Sequence, residues 1–393
     1  MNAAQSRFRR SVTVVTVLSI LAAACGGGGG TSTEESSAPD TSAPSVGVDL
    51  SGVCPENVVI QTDWNPEAEH GFVYNLVGPG YKVDTAAIAV KGDLWSGGKP
   101  TGVKVEVRAG GPAIGYGSVT AELYTKPEIM LGFVNTDAAV SFSGEKPTVA
   151  VVAPFVKNPQ IIMWDPATYP DVKDIAGLRD KGTKVRYFNG VTFMEYLTQS
   201  GILDEKQTDG TYDGTPASFL AAGGKDAQQG FGTSEPFFYE KKLQDWMKPV
   251  AYQYIHDTGW QPYAQSLALT PEGLGKNRDC LKKLVPVIQQ SLKDYVAAPD
   301  RANEIIVDAV MQYNSAWVYD MDQAVASVEK QLSDGIVANS PDGTLGSFDT
   351  DRVDSFIATA VPIFAKGGTK TKDGLVAADL VTNEFIDPSI TLD

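Results

Sequence analysis

Residues able to make or break bonds are sparse in this chain. It has two histidines, His70 and His256, and three cysteines, Cys25, Cys54 and Cys280. Two histidines cannot supply a histidine-rich metal centre, and no cysteine stands at a metal-ligand spacing. No serine elbow, Walker loop or strand-linked Gly-x-Gly-x-x-Gly occurs. With 48 acidic residues, carboxylate pairs arise by chance, so glycosidase-type acid and base work has no specific support. No catalytic residue, metal or cofactor is therefore expected. What remains is the chemistry of recognition. Trp64, Tyr187, Phe188, Phe231, Phe237, Phe238 and Trp260 can stack on a flat ring. Asp63, Glu69, Asp137 and Glu235 outnumber Arg108 and Arg186 near the predicted strand ends, and fixed anion binding would want the opposite balance.

The elements that must position these groups alternate strand, turn and helix. Residues 58–60 are an apolar, β-branched run that fits a buried strand. Asp63-Trp64-Asn65-Pro66 stops it, because Asn-Pro is turn chemistry and proline is pre-set for the first helical position. Phe72, Val73, Leu76 and Val77 then recur at helical spacing. In an open α/β sheet such a loop lies at the carboxyl end of a strand, where these folds bind ligands; it carries Trp64. Residues 103–107 read as a second strand, followed by the turn Gly110-Gly111-Pro112. A glycine-rich turn before a helix exposes N–H groups able to hold an anion or polar oxygen, so Gly111 is a candidate contact; the plain alternative is that the glycines only turn the chain. Further strands are expected over residues 129–134, 149–152, 160–164, 185–188, 250–255 and 265–269, and helices over 280–296, 302–317, 321–332 and 352–364.

The run Gln61-Thr62-Asp63-Trp64-Asn65-Pro66 with Glu69-His70-Gly71 resembles the opening motif of the SsuA/THI5-like (NMT1-like) solute-binding proteins, and the similarity covers most of the chain from about Cys54. Asp174-Ile175-Ala176-Gly177-Leu178 resembles another segment of that family, and Ser234-Glu235-Pro236 the stretch where a strand end meets the ligand. The resemblance implies a type II periplasmic-binding-protein fold, α/β in class, with two lobes, a hinge and a ligand cleft between them. It also implies capture of a small molecule for an ABC importer whose permease lies in the membrane; the family serves thiamine-pyrimidine precursors, sulfonates, nitrate and related compounds. On it, Trp64, Glu69 and His70 become candidate contacts, as do Asn135, Thr136 and Asp137 after the third strand. Tyr187, Asn189 and Thr192 follow from the turn after residues 185–188, and Glu235 is the leading acidic contact. The alternatives are a structural histidine at His70, a helix N-cap at Thr136 or Asp137, core positions for Tyr187 and Phe188, and a solvated glutamate at Glu235.

The first residues read as an address. Arg7, Arg9 and Arg10 precede an apolar run over residues 12–24 that is too short to span a bilayer. Leu21-Ala22-Ala23-Ala24-Cys25 resembles a bacterial lipobox, with the leucine one place further from the cysteine, and implies acylation of Cys25 after cleavage; an ordinary signal with an incidental cysteine is the alternative. Five glycines and a Ser/Thr/Pro/Glu/Asp-rich stretch follow, too poor in large apolar side chains to form a core. Removing residues 1–24 takes three arginines and no acid from a formal charge of −16, giving −19, which disfavours nucleic acid as a partner. Outside the cytoplasm the two remaining cysteines are expected to pair, Cys54 with Cys280, against the alternative of two buried free thiols.

The expected organisation is a lipoprotein signal peptide over residues 1–24, a flexible tether over 25–53, one lobe from 54–154 with 256–393 and its C-terminal helices, and a second lobe over 155–255. A monomer, lipid-anchored on the outer face of the bacterial cell membrane, is expected. A secreted enzyme akin to the yeast pyrimidine synthases competes, yet that family relies on a histidine-rich region absent here. A sensing lipoprotein is the third reading. The aromatic and acidic residues favour an amino-substituted heteroaromatic such as a pyrimidine over sulfonate, nitrate or riboflavin-type ligands.

Overall fold

The computed structural model describes residues 47–392; the expected signal peptide, Cys25 and most of the expected tether lie outside the described residues. Two sheets organise the chain. In the first, β1 (Asn57–Gln61), β2 (Lys82–Asp84), β3 (Ala89–Ser96), β4 (Lys99–Arg108), β5 (Ile129–Val134), β6 (Val149–Val152) and β12 (Ser266–Leu269) lie in the order β2-β3-β4-β1-β5-β12-β6. In the second, β7 (Gln160–Trp164), β8 (Val185–Arg186), β9 (Thr208–Asp209), β10 (Ala227–Phe231) and β11 (Ala251–Tyr254) take the order β11-β7-β10-β8-β9. The chain leaves the first sheet after β6, at Pro154, and rejoins it at β12.

The first sheet is built around β1, which pairs in parallel with both β4 and β5. Parallel strands are covered on both faces and so read as continuous apolar runs. Accordingly Val58, Val59 and Ile60 are buried, as is all of β5; each fully buried valine or isoleucine contributes about 1.5–3 kcal/mol. β12 runs antiparallel to β5 and β6, closing the sheet from the far end of the sequence. On one face lies the helix Arg278–Ala297, whose Leu284, Val287, Ile288 and Leu292 are buried in the same core as Val58 and Ile60. Cys280, at the start of that helix, is disulfide-bonded to Cys54 just ahead of β1.

Three departures from the sequence reading have clear causes. Residues 78–100 contain a hairpin that breaks the strand-helix alternation: β3 and β4 pair antiparallel across Gly97-Gly98, both with positive φ, the conformation a tight turn needs and glycine supplies. The helix expected to reach residue 317 ends at Tyr313, because Asn314 adopts a left-handed C-cap with φ 48; Trp317 falls in the following loop. Leu50, inside the expected tether, is fully buried, and its N–H donates to Thr101 O at 2.9 Å, so ordered packing starts before Cys54. No helix among the described residues is long and apolar enough to cross a membrane.

Candidate ligand cavity

The loop after β1 is held from beneath by its neighbours. Thr62 N–H donates to Arg108 O at 2.9 Å, its hydroxyl donates to Trp64 O at 3.0 Å, and Gln61 Nε2 donates to Ala109 O at 2.9 Å. The glycine turn after β4 completes the fixture: Gly110 N–H donates to Trp64 O and Gly111 N–H to Asp63 O, at 2.8 and 3.0 Å. A Cβ on Gly110 would stand 2.3 Å from Thr62 O, and one on Gly111, which has φ +54, would stand 2.7 Å from Trp64 Cε3. These glycines therefore exist for close approach. The expected anion nest is corrected here, since the N–H groups of Gly110 and Gly111 are spent on the loop that carries Trp64.

Facing that loop is the carboxyl end of β10. Glu235 opens the helix Glu235–Lys241, with Pro236 in its first turn, and its Oε2 accepts the N–H of Phe231 at 2.6 Å. Burial pushes the Glu235 carboxyl up to about 7, the N–H groups of Phe231 and of Glu235 itself opposing the rise and the nearby Glu69 charge adding to it. A Cβ on Gly230 would lie 2.9 Å from Glu235 Cγ, so glycine there leaves the carboxylate room. Between the two loops lies a cavity of about 360 Å³.

Asp63, Phe188 and Phe231, also read from the sequence, line this cavity, and of the eleven candidate contacts five do: Trp64, Gly111, Asn135, Asn189 and Glu235. The other six do not, and each has a partner elsewhere. Glu69 is buried and accepts from the hydroxyls of Thr233 and Ser327, the latter at 3.0 Å. His70 is buried beside the Phe133 ring, with Nε2 2.9 Å from Asp63 Oδ1; it steadies a wall residue without reaching the cavity. Thr136 N–H donates to Tyr263 O at the buried start of the helix Thr136–Phe142. Asp137 accepts the Thr192 hydroxyl and the Ala138 N–H, and burial raises its carboxyl above the ordinary value. Tyr187 turns away while Phe188 faces the cavity, as alternation along an extended segment requires.

Several wall residues were not singled out. Tyr116 and Tyr212 come from loops without periodicity, and Trp317 from the loop after Asn314. Trp64 meets Phe188, Tyr116 and Trp317 with ring centroids 5.4, 6.0 and 6.2 Å away. Gln265 sits at φ +51, a costly conformation for a non-glycine; its N–H donates to Asn135 Oδ1 at 2.7 Å and its Nε2 to Asp63 Oδ1 at 3.1 Å. Among the described residues Asp63 and Glu67 bring the wall carboxylates to three with Glu235, and no lysine or arginine lines the cavity. Arg108 is engaged by Glu106 and Glu128, and Arg186 by Asp209 and Asp226. Among the described residues no cluster of His, Cys, Asp and Glu could hold a metal ion.

No family model matches this sequence, and no curated protein does. Solved structures do. The periplasmic aliphatic sulphonate binding protein SsuA from Escherichia coli superposes with TM-score 0.53 over 86% of this chain and 94% of its own, at 16% identity. The alkanesulfonate-binding protein SsuA from Xanthomonas axonopodis pv. citri, bound to MOPS, gives 0.52 over 84% and 99%, at 13% identity. A putative sulfonate-binding SsuA from Methylobacillus flagellatus gives 0.51 over 84% and 92%, at 17% identity. At such identities the likeness concerns the fold: this chain has the two-lobed α/β fold of periplasmic binding proteins.

Proposed function

We propose that this chain is an extracytoplasmic solute-binding lipoprotein that captures a small heteroaromatic molecule, such as a thiamine-pyrimidine precursor, and hands it to an ABC importer. The observation that carries the reading is the cavity between the carboxyl end of β1 and that of β10, with aromatic walls and hydrogen-bonding groups from both sheets. Its ligand differs from those of the sulfonate-binding neighbours. A sulfonate wants fixed cationic donors, whereas among the described residues this wall carries Asp63, Glu67 and Glu235 and no lysine or arginine. An amino-substituted ring suits it, stacking on aromatic side chains while its N–H groups donate to carboxylates.

The test is a thermal-shift screen of nitrogen heterocycles, sulfonates, nitrate and riboflavin. A ligand at a hundred times its dissociation constant stabilises by about 2.7 kcal/mol, so an aminopyrimidine should raise the melting temperature by several degrees. A response confined to sulfonates or nitrate would sink the heteroaromatic assignment.

The same reading has the protein acting as a monomer held to the membrane through acylated Cys25. Cys25→Ser should release it to the soluble fraction with its melting temperature unchanged, because the change lies in the expected tether. Detergent phase separation checks this, and a wild-type protein that partitions as soluble contradicts the anchor.

A further inference from the structure

Glu67 is the group the reading so far leaves without work. It lines the cavity, is only 4% exposed, and its carboxylate makes no hydrogen bond among the described residues. The nearest cation candidate, His70 Nε2, is 4.0 Å away and already committed to Asp63 at 2.9 Å. A buried carboxylate with no donor is costly, and here its neighbours add to the cost. Burial first, then the charges of Glu69, Asp63 and Glu235, hold the Glu67 carboxyl well above the ordinary glutamate range. Four rings line the same cavity: Trp64, Tyr116, Phe188 and Trp317, with Trp64 meeting each of the other three and the Tyr116 and Phe188 centroids 6.4 Å apart. Rings offer a cation their negative faces, and the attraction grows where water is excluded.

We propose that the cavity is an organic-cation site in which Glu67 is the counter-ion and the ring cluster around Trp64 takes the face of a ligand bearing a quaternary or ring nitrogen with full positive charge. The assignment rests on the solute-binding reading and narrows its ligand class: the ligand brings the charge that no wall residue supplies. It also explains why three carboxylates share one small wall, since a bound cation relieves their mutual repulsion.

The experiment compares 1-methylnicotinamide, a flat cation, with its uncharged parent nicotinamide, the anion benzenesulfonate and the non-aromatic cation tetramethylammonium, by thermal shift and titration calorimetry at neutral pH. The wild type should bind 1-methylnicotinamide at least about tenfold more tightly than nicotinamide and show no response to benzenesulfonate. Glu67→Gln should bring the ratio of cation to neutral parent close to one. Its ligand-free melting temperature should rise, because a carboxyl that is ionised in the unfolded chain no longer has to be buried among other carboxyls, where its charged form is disfavoured. Nicotinamide or benzenesulfonate binding the wild type as well as the cation overturns the assignment, and that comparison needs no variant. So does a Glu67→Gln protein that keeps the preference. If both cations fail while neutral heterocycles bind, the cation assignment alone is lost. Silence from every compound here and in the broader screen removes the solute-binding reading as well.

Discussion

Trp64→Ala should weaken binding of the heterocycle that gives the largest thermal shift by at least about tenfold, or about 1.4 kcal/mol, while leaving the fold in place. The indole stands at the end of β1 on a loop fixed by Thr62, Gly110 and Gly111, so its position is set before any ligand arrives. It is half-buried and packs edge-on against Phe188 and Trp317. Truncation removes ring area that a ligand would cover and loosens two neighbouring rings. Glu235→Gln gives the companion measurement, because its sign discriminates between ligand types. With an amino-bearing ring, the carboxylate loses a charge-assisted bond worth about 1.5–3 kcal/mol and affinity falls. With an anion, removing a negative charge from the wall would raise affinity. The ionisation of Glu235 sharpens the experiment. Burial lifts its carboxyl to about 7, so a ligand that donates to the ionised form should release protons near neutral pH, and the calorimetric heat should depend on the buffer. Tighter binding by Glu235→Gln would falsify the amino-heteroaromatic reading.

Loss of the Cys54–Cys280 bridge should be the most damaging change to stability. The bond closes a loop with a sequence separation of 226 residues, for which the chain-entropy account gives about 5 kcal/mol, and measured losses of native bridges run about 2–5 kcal/mol. Against a typical total of about 5–15 kcal/mol that is a large share. The site is structurally tight as well: Cys280 is buried, and the helix it starts packs the stripe Leu284, Ile288 and Leu292 into the core shared with β1. The double variant Cys54→Ser, Cys280→Ser should therefore unfold at a markedly lower denaturant concentration. Non-reducing peptide mapping of the native protein provides the control, and two alkylatable thiols there would remove the bridge from consideration.

Much of the scaffold was legible because it obeys local rules. Apolar runs ended by polar turns gave β1, β5, β6, β7 and β12, and helical spacing gave the long C-terminal helices. The hairpin of β3 and β4 was not read, although Gly97-Gly98 is turn chemistry, since the half-buried strands around it lack a continuous apolar run. The cavity was legible only in part. Trp64, Asn135, Asn189 and Glu235 sit where a strand hands over to a helix, and that position together with the family resemblance suggested them. Glu69, Asp137 and Thr192 sit in equivalent places yet bond to the protein, and no local pattern distinguishes a carboxylate awaiting a ligand from one already holding a hydroxyl. Trp317 was hidden by a helical pattern that runs past Asn314, where the left-handed cap ends it.

Those bonds within the chain have a consequence for how the two halves are held. Thr192 follows a strand of the second sheet and Asp137 a strand of the first; Thr233 and Glu69 are divided in the same way. Each bond engages a buried carboxylate, the class of hydrogen bond worth about 1.5–3 kcal/mol. Observed affinity equals intrinsic affinity scaled by the fraction of empty protein already in the competent shape. Two bonds between the sheets favour the closed arrangement and raise that fraction, so little of the binding energy is consumed in bringing the halves together. Under the proposed solute-binding function they equally retard release, and the work of prying the halves apart would fall to the permease.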